Sequence, residues 1–115
     1  MGKELPYSKT LMNNSIGFVS GQLAIDSEDE LVGNDISSQT KAALNNLFAA
    51  VEQMGAAKSD IMFVNVYLQD IVSDFEKMNE VYSGMLEGNK PCRVTVGATL
   101  VDPKYLVEIS AIIVK

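Results

Sequence analysis

The chain has 115 residues, 47% hydrophobic and 21% charged, which fits one globular domain over residues 1–115 with a modest core. It carries a formal net charge of −6, no histidine and one cysteine. That excludes histidine-based triads, ribonuclease-type histidine pairs and thiolate metal clusters, and the acidic balance argues against nucleic-acid binding, which needs a basic face.

No apolar run is long enough to span a bilayer. The opening "MGKELPYSK" lacks an apolar h-region, and one cysteine cannot close an internal disulfide. Both point to the cytoplasm. Any catalysis is left to Arg, Glu or Asp, Tyr, Ser or Thr, backbone groups and water.

In chain order, "IGFVSGQLAID" reads as a strand, with Ile16, Phe18 and Ser20 on one side and Gly17, Val19 and Gly21 on the other. The Gly21–Gln22 region permits a bulge. "NDISSQTKAALNNLFAAVEQMG" is an amphipathic helix on Ile36, Ala43, Leu44, Leu47, Val51 and Met54, with Asn34 or Asp35 as its cap and Gly55 at its end. "DIMFVNVYLQD" predicts an internal strand with Met62, Val64, Val66 and Leu68 toward the core and Phe63, Asn65 and Tyr67 on a mixed face.

"SDFEKMNEVYSGMLEG" predicts a second helix with a Ser73/Glu76 capping box. Its buried stripe is Phe75, Met78, Tyr82, Met85 and Leu86, and Gly88 and Pro91 stop it. The six methionines read mostly as core packing. Two strands follow. "RVTVGATL" sets Val94, Val96 and Ala98 against Arg93, Thr95, Gly97 and Thr99. "YLVEISAIIV" sets Val107, Ile109, Ala111 and Ile113 against Leu106, Glu108, Ser110 and Ile112, after a turn at "VDPK".

The order is β(β)-α-β-α-β-β, an α+β arrangement. Two such helices cover only one face of a sheet. The other face, with Phe63, Tyr67, Leu106 and Ile112, is too apolar to stand in water, so an oligomer is expected.

Glu108 stands out because carboxylates are disfavoured in an apolar strand. It is an outward-facing charge at an edge, a structural ion pair, or a carboxylate that orients or activates water in a partly dry cleft. Arg93 can hold a carboxylate through two parallel hydrogen bonds, or it pairs with a nearby acid. Pairing of the last two strands around "VDPK" would bring Arg93 and Glu108 to the same end of one ladder. Cys92 reads as a small half-buried side chain, since no histidine can serve as its base.

"LPYS", "FVSGQLAID", "MNEVY", "PCRVTVGA" and "LVEISAIIV", with fifteen residues from Arg93 to Glu108, run in this order over nearly the whole chain. In these the sequence resembles the Rid family of reactive-intermediate deaminases, known also as the YjgF or endoribonuclease L-PSP family. The resemblance implies a chorismate-mutase-like α+β fold with two helices on one face of a mixed sheet. It also implies a homotrimer with a barrel-like centre and a cleft at each subunit interface. The implied reaction is hydrolysis of 2-imino acids and enamines such as 2-aminoacrylate to 2-keto acids and ammonia, without cofactor or metal.

The resemblance casts Arg93 as the holder of the substrate carboxylate and Glu108 as the residue acting on water. It puts Tyr7, Ser20, Gly21 and Asn79 around the pocket, and Thr95 contributes backbone. A non-catalytic small-carboxylate-binding or chaperone-like trimer is the alternative, with a ribonuclease or translation inhibitor behind it. The chain departs from the family at Ser110, where a second glutamate is common, at Cys92 in "PCR", and in "TLVDPKYL", which alters the pocket rim.

Overall fold

The computed structural model describes residues 4–115. Strand β1 (Thr10–Asn13) turns into β2 (Ile16–Gln22) through Asn14, a residue in the left-handed region (φ 57) that asparagine tolerates. Helix α1 (Ile36–Gln53) follows, then β3 (Ile61–Leu68), helix α2 (Ile71–Met85), β4 (Cys92–Gly97) and β5 (Val107–Val114). The five strands form one sheet in the order β1-β2-β5-β3-β4. Only β3 and β4 run parallel, and α2 is the crossover such a pair needs.

The apolar stripe of α1 buries Ala43, Leu44, Leu47 and Val51 against Val64, Val66, Val107, Ile109 and Ile113. Asp35 is the N-cap, its carboxylate accepting from the Ser38 N–H at 2.8 Å. Gly55 ends the helix at φ 78, where Lys115 Nζ donates to the Met54 carbonyl at 3.1 Å. Gln39 is buried in the same helix. It donates to the Gly33 and Lys104 carbonyls and accepts from the Leu106 N–H, so the loop before β5 is tied to α1.

Several expectations are corrected. The first is the cap of α2. The helix begins at Ile71, and Asp70 caps it by accepting from the Ser73 N–H at 3.2 Å. Ser73 is thus inside the first turn, not at its cap. On the same helix Phe75 is 37% exposed, whereas Met78 and Tyr82 are buried.

The second concerns β3. Its register against β5 slips between Ile61 and Phe63, which turns Met62 out of the core and puts Ile61 into it. Met12 is exposed too. Leu106 precedes β5 and packs beside the core cluster, off the open face.

The third is the pairing of the last two strands: β3 lies between β4 and β5. The segment after β4 crosses the end of β3, held by the Leu100 N–H to Gln69 Oε1 (2.8 Å) and the Gln69 N–H to the Leu106 carbonyl (3.0 Å).

Both helices cover one face of the sheet. The open face is largely apolar: Leu11, Ile16, Phe18, Val94, Val96 and Val114 are all exposed. Cys92 lies on this face as an exposed free thiol, contrary to the expected half-buried position, because the outward side of β4 carries no covering element among the described residues. Among the described residues no helix is long and apolar enough to cross a membrane.

Candidate functional site

Two clusters of candidate residues form, one on each face of the sheet. The first is built by a bulge in β2. Val19 pairs with Ala111 and Gln22 with Ile109, so β2 spends one residue more than β5 over the same stretch. The extra residue falls at Ser20–Gly21. Both line a cavity of about 610 Å³ with Tyr7, Lys9, Asp26 and Asn46. Asn46 shapes this wall by donating to the Leu23 and Ile25 carbonyls, each at 2.9 Å.

Glu108 stands against the bulge. A β-carbon at residue 21 would collide with the Glu108 carboxylate, so this close approach requires glycine. On its other side Glu108 pairs with Tyr67 of β3. Half-buried on an apolar sheet, its carboxyl is pushed above the ordinary 4.5 by loss of solvent. Among the described residues it has no cation within ion-pair distance.

The second cluster centres on Arg93, the only arginine in the chain. Arg93 pairs with Val64, whose side chain faces the core, so Arg93 points to the helix-covered side of β4. Its guanidinium carbon lies 4.7 Å from the centre of the Tyr82 ring and 5.9 Å from that of Phe75. No acid neutralises it: among the described residues the ion pair within 4.0 Å is Lys58–Glu87. The adjoining cavity of about 250 Å³ is lined by Tyr82, Ser83, Asn89, Lys90, Pro91 and Arg93, and no carboxylate reaches it.

Thr95 is two residues further along the same side of β4, and its buried hydroxyl has no partner. Asn79 lies one turn before Ser83 on α2 and lines a shallow depression of about 400 Å³ that shares Ser83 with the Arg93 cavity.

The structure therefore sets Tyr7, Ser20 and Gly21 around one cavity with Glu108 against Gly21, and puts Arg93 and Thr95 on one side of β4 with Asn79 in a neighbouring depression on α2. It does not bring the two groups together within one chain. Arg93 and Glu108 are separated by β3, two strand spacings of about 4.8 Å each, by three residues along the ladder, and by the thickness of the sheet. Sequence reasoning missed the aromatic bracket around Arg93. Its only trace in the sequence is two rings seven residues apart on one face of α2, Phe75 and Tyr82, which read equally as core packing.

Among the described residues no group of three or more His, Cys, Asp or Glu is placed to hold a metal ion. The chemistry available is carboxylate recognition at Arg93 and proton exchange with water at Glu108.

The family model described as Endoribonuclease L-PSP matches residues 1–115. A RutC family protein of Pyrococcus abyssi is 42% identical over 111 residues, covering 96% of this chain and 87% of that protein. A crystal structure from the conserved Rid protein family of Yersinia pestis superposes with a TM-score of 0.88 at 31% identity, covering 96% of this chain and 88% of that one. The Escherichia coli protein TdcF, solved with bound serine, gives a TM-score of 0.89 at 29% identity over 99% of this chain and 91% of that one. This chain belongs to the endoribonuclease L-PSP family, the family of the YjgF and Rid proteins.

Proposed function

We propose that this protein hydrolyses small 2-imino acids and their enamine tautomers to 2-keto acids and ammonia, in a cleft completed between two copies of the chain. The observation that carries the reading is Arg93: a permanently charged guanidinium, fixed by two rings, with no carboxylate of its own. A half-buried cation left without a counter-charge is poorly compensated and favours an anionic ligand. The serine bound by TdcF is a small amino acid with such a carboxylate.

Arg93 grips the carboxylate of the imino acid and fixes its orientation, which removes much of the entropic cost of attack. Glu108 accepts a proton from water as the oxygen adds to the C=N carbon and returns it to the nitrogen, giving a carbinolamine, and the hydroxyl proton then passes through the same carboxylate to the nitrogen as C=O forms. A C–O bond forms, the C–N bond breaks, ammonia leaves and the keto acid remains, with no change in oxidation state. Tyr7, Ser20 and Gly21 shape the Glu108 side of the cleft, while Asn79 and Thr95 shape the Arg93 side.

Because the two clusters occupy opposite faces, a ligand this small touches both only if a second copy supplies one of them. The open face, with Ile16, Phe18, Val94 and Val96 exposed, is the surface through which we expect three copies to join around a barrel-like centre. The single free cysteine suits a cytoplasmic enzyme.

The test couples the purified protein to a pyridoxal-phosphate serine or threonine dehydratase and follows keto-acid release. Wild type accelerates release, and Arg93→Ala abolishes the acceleration while leaving the oligomer intact. An Arg93→Ala protein of full activity would sink the mechanism. The bound serine of TdcF supports a second reading, a trimer that binds small carboxylates without turning them over. Calorimetric binding of pyruvate with no gain in imine hydrolysis would favour it. Against RNA cleavage stand a net charge of −6 and a single arginine, which leave no basic stripe for phosphates.

A further inference from the structure

We propose that Tyr82, flanked by Phe75, is a positioning residue for Arg93: the two rings hold the guanidinium in place without consuming its hydrogen-bond donors. An acid partner would anchor Arg93 as firmly, but it would also occupy and neutralise it. An aromatic ring attracts the cation through its negative face and leaves the N–H groups free for a ligand.

Three observations support this arrangement. The guanidinium carbon lies 4.7 Å from the Tyr82 ring centre and 5.9 Å from that of Phe75. Tyr82 is itself immobilised, 7% exposed and part of the core cluster. Its hydroxyl is buried without a partner, an arrangement with no benefit to folding. Burial pushes the phenol's pKa up, and this outweighs the opposing influence of Arg93. The phenol stays neutral and cannot become a counter-ion to the guanidinium.

The inference rests on Arg93 being the ligand-binding residue, and its test separates the two ideas. Because the chain has one arginine, the guanidinium gives a single side-chain signal in nitrogen- and carbon-edited NMR spectra. In the wild type the Arg93 Cδ protons should be displaced upfield by the ring currents. Tyr82→Leu should remove most of that displacement and weaken pyruvate binding by about 5- to 30-fold. Tyr82→Phe should restore both.

A folded Tyr82→Leu protein with unchanged signal and unchanged pyruvate affinity overturns the proposal. If Tyr82→Leu does not fold, Phe75→Leu, at a position 37% exposed, carries the test with a smaller expected change, and no change in either readout overturns it. If the wild type fails to bind pyruvate, the ligand assignment falls, while the NMR displacement still decides whether the rings hold Arg93.

Discussion

Gly21 and Glu108 touch across the β2–β5 ladder, where the space a β-carbon would need at residue 21 is filled by the Glu108 carboxylate. The contact exists because β2 bulges there and lets the backbone approach the acid. Gly21→Ala should therefore swing Glu108 away and lower turnover by about 10- to 100-fold, the scale of a misplaced catalytic group. Elsewhere in a strand a glycine-to-alanine change is neutral or stabilising. A Gly21→Ala enzyme with wild-type kcat would show that the placement of Glu108 is unimportant.

Glu108 should also set the acid limb of the pH–rate profile. Loss of solvent holds its pKa above 4.5, so the carboxylate proposed to accept the proton from water appears only above that value. Activity should rise with pH through the raised pKa, and Glu108→Gln should lack both the limb and most of the rate. The stability effect has the opposite sense. The folded state binds this proton more tightly than the unfolded chain, so its contribution is present below 4.5 and is lost as pH rises from there through the raised value. Above that window Glu108→Gln should melt higher than the wild type, and a lower melting temperature at neutral pH would contradict the assignment.

The start of α2 gives a direct comparison. Asp70→Ala removes the acceptor for the Ser73 N–H and should cost about 1 kcal/mol in urea unfolding. Ser73→Ala should cost much less, because that hydroxyl does not cap the helix. A reversed ranking would restore Ser73 as the cap.

Cys92 precedes Arg93 but faces the other side of β4. Cys92→Ala should keep full activity. Alkylation of the thiol should act only by disturbing the open face, read as a change in oligomer size by light scattering. Loss of activity in Cys92→Ala with the oligomer intact would give the thiol a chemical role.

Much of the fold was legible in the sequence because its signals are local. The 3- and 4-residue spacing of Ala43, Leu44, Leu47 and Val51 specifies α1, and alternation specifies the core side of β5. The bulge near Gly21 was legible from glycine's freedom. Glu108 stood out as a charge among β-branched neighbours. Other features depend on competition between neighbouring groups. Asp70 lies three residues before Ser73 and takes the cap, and a register slip of one residue turns Met62 outward.

The sequence by itself determined which residues are chemically unusual here: one arginine, one carboxylate in an apolar strand, and no histidine. Only the tertiary structure decided how they relate. Strand order is set by crossovers between distant segments, and the parallel β3-α2-β4 unit inserts β3 between β4 and β5. That insertion parts Arg93 from Glu108, places one on each face of the sheet, and brings Tyr82 over the guanidinium. Residue spacing cannot show this, because period-two alternation assigns each strand's faces without saying which strand lies beside it.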